Sequence, residues 1–130
     1  MFTRRNFVIS AAAAAALFAT PVLAADSKAF TMKAFQQAQN AGKSIVVEVH
    51  ASWCPVCKKQ APVTAGLRTK AAYKNVQFFT VDFDTQKADL KALRVTKQST
   101  LISFKGKSEK DRSTGVTDPA KIEALVKSSI

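Results

Sequence analysis

Cysteine and histidine are scarce in this chain of 130 residues, which holds two cysteines and one histidine. Two cysteines cannot form the several disulfides of a small secreted scaffold, and with one histidine they cannot supply the four ligands of a structural zinc site. Glycine and proline number four each, which excludes collagen-like and linker-like chains. Acidic residues are also few, nine against 20 lysines and arginines, so the formal net charge is +11. These absences leave one basic globular domain with a single pair of thiols.

The first 25 residues differ from the rest of the chain. Arg4 and Arg5 precede an uncharged stretch over residues 7–25 that ends in small residues, a pattern typical of a secretory signal peptide. The two arginines ahead of apolar residues resemble the twin-arginine export motif. An uncleaved membrane helix is the alternative, although a span usually needs ~20 strongly apolar residues. We therefore expect a signal peptide over residues 1–25, a domain over residues 26–130 and a periplasmic location.

The positive charge remains after the expected cleavage. Removing residues 1–25 takes away two arginines and no acidic residue, so the formal charge falls from +11 to +9. The lysines are scattered along the chain, and no basic run alternates with aromatic residues as it does in nucleic-acid-binding segments. We interpret the charge as a solvated basic surface and expect no nucleic-acid partner.

Helices and strands are predicted to alternate after residue 25. The β-branched run over residues 44–50 is too apolar for an exposed edge, so it is expected to form a central buried strand. The order of the elements predicts an α/β sheet covered by helices on both faces. One further strand is weakly indicated before the last helix. The periodicity predicts helices over residues 30–40, 87–93 and from 119 onward, and strands over residues 44–50, 76–83 and 101–104. A further helix is predicted within residues 53–67, after the first cysteine.

Both cysteines lie directly after the first predicted strand, at the start of the next helix. The backbone N–H groups of a helix N-terminus favour a thiolate at Cys54, and Cys57, one turn further along, can attack a mixed disulfide formed by Cys54. A structural disulfide would close too short a loop to add much stability, and a metal site lacks further ligands. We interpret the pair as a redox-active site that needs neither a metal nor a cofactor.

The segment over residues 48–62, E-V-H-A-S-W-C-P-V-C-K-K-Q-A-P, resembles the active-site segment of the thioredoxin superfamily. The resemblance extends over nearly all of residues 30–130. Residues 81–84 resemble the family's third strand with its acidic end, and residues 99–105 resemble the strand that begins with Pro-Thr. The resemblance implies a thioredoxin fold, with a central mixed β-sheet flanked by helices on both faces, and a protein-disulfide oxidoreductase activity.

The resemblance also implies roles for individual residues. Cys54 is expected to be the nucleophile and Cys57 the resolving thiol. Glu48, six residues before Cys54, stands where the family carries a buried carboxylate; burial should raise its pKa and let it take the proton of Cys57. The alternative is a glutamate at a strand end that reaches solvent. His50 shares the face of Glu48, as a partner of the carboxylate or as a packing residue.

Four further residues are expected to contact the client protein. Ser99 stands where the family has a cis-proline, and because a cis bond before a non-proline residue is costly we expect the bond before it to be trans. Its hydroxyl is expected to point towards Cys54, and its backbone to pair with an extended client peptide. The residues assigned to client binding by the resemblance are Trp53, Pro55, Ser99 and Thr100.

The dipeptide between the cysteines bears on the direction of electron flow. Val56 has no polar group to stabilise a Cys54 thiolate, so a reductant or electron relay is favoured over a disulfide-forming oxidant. A reductant in an oxidising compartment must be recharged, which implies a membrane thiol-electron transporter as partner, with protein thiols and disulfides as clients. We expect a monomer. The remaining alternative is a Cu(I) metallochaperone, for which Met32 is the one methionine after residue 25.

Overall fold

The computed structural model describes Ala16 and residues 26–130, so the expected signal peptide, Ala16 apart, lies outside the described residues. Four helices and five strands follow one another along the described chain, with one 3-10 turn at Ala71–Tyr73. In chain order they are β1 (Lys28–Ala29), α1 (Met32–Asn40), β2 (Ser44–His50), α2 (Pro55–Arg68), β3 (Gln77–Asp82), α3 (Lys87–Ala92), β4 (Thr100–Lys105), β5 (Ser108–Thr114) and α4 (Pro119–Lys127).

The five strands form one mixed sheet in the order β1-β3-β2-β4-β5. The strands β1, β3 and β2 run parallel, whereas β4 is antiparallel to both β2 and β5. The predicted central strand has the bounds that its sequence indicated, since β2 covers Ser44–His50 and lies in the middle of the sheet. The two-residue edge strand β1 was not predicted, because two residues carry no periodicity.

Helices cover both faces of the sheet, as predicted. Successive residues of β2 point to opposite faces, so Val47 packs against α1 and α3 in one core while Val46 packs against α2 and α4 in the other. The first core contains a cluster of aromatic rings in which Phe35 of α1 lies 5.1 Å, centroid to centroid, from Phe104 of β4. This arrangement directs the second face, with Glu48, towards α2, the helix that carries the cysteines.

Side-chain caps mark the starts of α1, α2 and α4. Asp118 accepts a hydrogen bond from the N–H of Ala120 at 2.8 Å, and Pro119 occupies the first position of α4, as the sequence indicated. The cysteine-bearing helix begins directly after the first cysteine, as predicted, because Cys54 has extended backbone and its side chain caps α2. No helix within residues 26–130 is long and apolar enough to cross a membrane.

Candidate active site

The two cysteines form a disulfide at the junction of β2 and α2, with their Cα atoms 5.3 Å apart. The Cys54 sulfur caps α2 by accepting a hydrogen bond from the backbone N–H of Cys57 at 3.1 Å. The Cys57 sulfur lies 3.8 Å from the carbonyl oxygen of Val49. Only 1% of Cys54 and 3% of Cys57 is exposed, so the structure shows a shielded disulfide whose first sulfur faces the helix N-terminus.

Exposed residues surround the disulfide. Trp53 is 54% exposed, and its indole N–H donates to the carboxylate of Asp84 at 3.0 and 3.2 Å. Its ring meets Phe83 edge to face at 6.3 Å between centroids, and Phe83 packs in turn against the cysteine pair. Pro55, at the first position of α2, is also exposed. Trp53 and Pro55 therefore lie where a client would have to approach the sulfurs.

Glu48 is largely buried, as predicted, with 15% of its side chain exposed. Its Oε1 atom is shielded from solvent and accepts no hydrogen bond from the described residues; the guanidinium Nη1 of Arg68 lies 3.5 Å away. Burial raises the pKa of Glu48, and the charge of Arg68 and the hydroxyl of Thr64 partly offset this effect. The direction of the pKa shift matches the expectation for a carboxylate held within the fold.

The described partners of Glu48 lie away from the sulfurs. Thr64 and Arg68 come seven and eleven residues after Cys57 in α2, which places them about 10 and 16 Å further along the helix axis. The guanidinium of Arg68 also lies over the ring of Phe78, 5.5 Å from its centroid. Proton transfer between Glu48 and Cys57 therefore stays a prediction, and it would have to run through water or a rotation of the Glu48 side chain.

Ser99 is held by hydrogen bonds to three other segments of the chain. Its N–H donates to the carbonyl oxygen of Val49 at 2.9 Å. Its carbonyl oxygen accepts from the N–H of Gly115 at 3.0 Å and from the side-chain amide of Gln60 at 3.1 Å. Its hydroxyl donates to the carbonyl oxygen of Gln98 at 2.6 Å. Ser99 is 5% exposed and has a φ of 57°, in the left-handed region.

This geometry confirms one expectation for Ser99 and contradicts two. No peptide bond between described residues is cis, so the Gln98–Ser99 bond is trans as predicted. The hydroxyl does not donate to Cys54, because the neighbouring Gln98 carbonyl takes its proton. The backbone is not free to pair with a client peptide either. The left-handed conformation turns both the N–H and the C=O of Ser99 towards partners within the chain.

Thr100, at the start of β4, is likewise used within the chain. It is 3% exposed, and its hydroxyl donates to the Lys97 carbonyl oxygen at 2.8 Å and lies 3.0 Å from the hydroxyl of Thr114. The contact with Thr114 joins the beginning of β4 to the end of β5. The position fits a structural role better than the client contact that the resemblance implies.

Sequence reasoning missed Gln60, which lies one turn after Cys57 in α2. Its side chain is buried, and its amide donates to the carbonyl oxygens of Ser99 at 3.1 Å and Val116 at 2.8 Å. Gln60 thus connects the cysteine-bearing helix to the segments on either side of the β4–β5 hairpin. The available signal was a polar residue on the inward stripe of α2, four residues before Thr64 and seven before Leu67.

The metal-binding alternative finds little additional support in the described residues. Within residues 26–130 no group of three or more histidine, cysteine, aspartate or glutamate side chains could hold a metal ion. Met32, the methionine considered as a soft ligand, begins α1 and packs against the first core.

The fold and the sequence are also similar to those of known proteins. The thioredoxin family model matches residues 26–128. Thioredoxin Asp f 29 of Aspergillus fumigatus is 30% identical over 105 residues, covering 81% of this chain and 91% of that protein. Protein disulfide-isomerase erp38 of Neurospora crassa is 43% identical over 70 residues, which cover 52% of this chain and 19% of that protein. The crystal structure of Trxlp from Edwardsiella tarda superposes with a TM-score of 0.74 at 40% identity, covering 77% of this chain and 98% of that one.

The chain belongs to the thioredoxin family. Its five-stranded mixed sheet with flanking helices is the thioredoxin fold, which confirms the predicted fold class. It is a thiol-disulfide oxidoreductase whose Cys54–Cys57 pair occupies the C-x-x-C position, and the family suggests protein thiols and disulfides as its substrates.

Proposed function

We propose that this protein is a periplasmic reductant, or electron relay, that transfers electrons to protein disulfides, with Cys54 as nucleophile and Cys57 as resolving thiol. The observation that carries the assignment of Cys54 as nucleophile is the hydrogen bond from the Cys57 N–H to the Cys54 sulfur at the start of α2. Because this N–H and the helix dipole both favour negative charge, an anionic Cys54 is stabilised relative to the thiol.

Each turnover moves two electrons from the dithiol to the client. The Cys54 thiolate attacks one sulfur of the client disulfide, forming a mixed disulfide and releasing the other client sulfur as a thiolate. Cys57 then loses its proton and attacks the Cys54 sulfur, which restores the Cys54–Cys57 disulfide and releases the second client sulfur. In this scheme Glu48 accepts the Cys57 proton through water or after a rotation of its side chain, and its raised pKa makes it a stronger base than an ordinary carboxylate.

Sequence features support the proposed direction of electron flow, from protein to client, and the proposed periplasmic location. Val56, between the cysteines, is partly buried and packs against the disulfide, and it has no polar group to stabilise a thiolate further. A less stabilised thiolate makes the dithiol a better reductant. The pattern of residues 1–25 is typical of export. The oxidised protein would regain its two electrons from a membrane thiol-electron transporter.

Trapping in cells tests this proposal. With Cys57→Ser the second step is blocked, so a client disulfide attacked by Cys54 stays attached as a mixed disulfide. We expect the full chain carrying Cys57→Ser to collect such adducts in the periplasm, and the matched control Cys57→Ser with Cys54→Ser to collect none. Alkylation of the wild-type chain in intact cells then distinguishes the direction: a predominantly dithiol form supports a reductant, and a predominantly disulfide form contradicts it.

A further inference from the structure

A groove with a volume of about 420 Å³ runs along α3 beside the redox site. Its floor is apolar and includes Phe83, Leu90 and Val95. We name it the α3 groove. Its rim is cationic, with three exposed side chains on and just after α3: Lys87, Lys91 and Arg94.

The α3 groove begins at a residue that contacts the disulfide. Phe83, at one end of its floor, packs against the cysteine pair and against the exposed ring of Trp53. At its other end the groove shares Arg94 with a second cavity of about 390 Å³, which adds Lys97 and Arg112 to the lining. A continuous basic surface therefore leads away from the sulfurs.

Most of this basic charge is not paired with a carboxylate of residues 26–130, although Arg112, in the second cavity, pairs with Glu109 at 2.6 Å. Neither cavity is lined by an aspartate or a glutamate. The three rim cations of the α3 groove form no ion pair with a carboxylate among residues 26–130, whereas Lys70, elsewhere on the surface, pairs with Glu123 at 3.0 Å. The Lys87 ammonium lies instead over the ring of Phe83, 4.3 Å from its centroid.

We propose that the α3 groove binds an acidic segment of the client polypeptide next to the cysteine that reacts with Cys54. The inference rests on the proposed function, since it concerns the client of the same site. Acidic side chains would meet the rim cations, and apolar side chains between them would cover Phe83, Leu90 and Val95. A peptide provides both kinds of side chain. A nucleic-acid backbone would leave the apolar floor uncovered, and it carries no cysteine to react.

The rim cations of the α3 groove are expected to raise the rate at which the protein and its client associate. Complementary charges outside the reacting atoms raise association rates and are weakened by salt. The rate for an uncharged small disulfide should therefore not depend on the groove. This difference separates client binding from the chemistry at Cys54.

Three substrates test the proposal with the full chain in its dithiol form. Two are synthetic peptides of equal length, each with one cysteine in a mixed disulfide with 2-mercaptoethanol, flanked in one by aspartates and glutamates and in the other by lysines. The third is the neutral bis(2-hydroxyethyl) disulfide. The groove variant is K87E/K91E. The matched control is K74E/K107E, which makes the same change of charge at exposed positions next to the starts of β2 and β3, at the end of the sheet opposite the disulfide.

We expect the wild type and K74E/K107E to reduce the acidic peptide about tenfold faster than the basic one at low ionic strength. The ratio of the reduction rates of the acidic and basic peptides should fall towards one in high salt. It should be abolished or reversed in K87E/K91E, which should still reduce the neutral disulfide at the wild-type rate.

Equal rates for the two peptides with the wild type would overturn the proposal. A ratio that K87E/K91E leaves unchanged would overturn it too, as would an oligonucleotide that binds the groove while the peptides show no preference. Failure of the wild type to reduce even the neutral disulfide counts against the proposed reductant instead. The groove is then tested by binding the thiol forms of the same peptides to the oxidised protein, and equal affinities overturn the inference.

Discussion

The side-chain amide of Gln60 donates to the carbonyl oxygen of Ser99 at 3.1 Å and so joins the cysteine-bearing helix to the segment before β4. Ser99 lies 39 residues further along the chain, with its N–H bonded to Val49 at the end of β2. In this protein a buried glutamine and a left-handed serine together hold the position at which the family has a cis-proline.

Removing the Gln60 amide should destabilise the fold. Gln60→Leu replaces the amide with an apolar side chain of similar size and leaves the Ser99 and Val116 carbonyl oxygens without their shared donor, which should cost about 1–3 kcal/mol in urea unfolding. Lys59→Leu, at the exposed neighbouring position, is the control and should change stability by less than about 0.5 kcal/mol. Equal effects of the two substitutions would show that the Gln60 hydrogen bonds contribute nothing.

The left-handed backbone of Ser99 should favour glycine. Ser99→Gly and Ser99→Ala both remove the hydroxyl, but only glycine adopts a φ of 57° without a Cβ clash. We expect Ser99→Gly to be more stable than Ser99→Ala by about 1 kcal/mol, measured by urea unfolding. The same pair of substitutions at Ser52, which does not have a positive φ, should give no such advantage to glycine. An alanine variant as stable as the glycine variant would contradict the strained conformation.

The buried charge of Glu48 should lower stability at neutral pH. Because its pKa is raised in the folded state, the folded chain keeps this proton to a higher pH than the unfolded chain does. Stability is therefore lost as the pH rises from the ordinary value of 4.5 through the raised folded value. Glu48→Gln, which stays neutral, should melt a few degrees above the wild type at pH 7 and lose this advantage at pH 4.

Glu123 provides a control because its pKa is shifted in the opposite direction from that of Glu48. Hydrogen bonds from Lys70 and Tyr73 lower the pKa of Glu123, so its ionised form stabilises the fold above the ordinary pKa and this contribution disappears in acid. Glu123→Gln should therefore reduce the melting temperature at neutral pH and have a smaller effect at low pH. If Glu48→Gln behaved like Glu123→Gln, the ion pair with Arg68 would outweigh the cost of burying Glu48.

Glu48→Ala should slow the second redox step more than the first. If Glu48 accepts the Cys57 proton, its loss should slow the resolution of the mixed disulfide about 100-fold near neutral pH and affect the attack by Cys54 less. Rapid acid quenching followed by mass spectrometry measures both steps, because the mixed disulfide accumulates when resolution is slow.

The ion pair with Arg68 requires a matched variant in the same experiment. Arg68→Met removes the partner of Glu48 and leaves the carboxylate in place. If Arg68→Met slows resolution as much as Glu48→Ala does, Glu48 acts through packing and charge pairing. A normal resolution rate in Arg68→Met, combined with a slow rate in Glu48→Ala, supports proton transfer by the carboxylate.

Local patterns were sufficient to predict the elements that place the disulfide. The β-branched run of residues 44–50 predicted the central strand with its bounds, and Asp118 with Pro119 predicted the start of the last helix. Both signals are local, since strand preference and helix capping depend on residues within a few positions of each other. The burial of Glu48 was predictable for a similar reason, since the strand around it is apolar.

What the sequence by itself determined is therefore the thioredoxin fold, the redox pair and the burial of Glu48. Only the tertiary structure decided the partners of those groups. Arg68 meets Glu48 across 20 residues and Gln60 meets Ser99 across 39, because each contact depends on how α2 lies on the sheet. The Ser99 hydroxyl was placed wrongly for the same reason. Its direction follows from a left-handed backbone that long-range hydrogen bonds hold in place, and no pattern of neighbouring residues encodes those bonds.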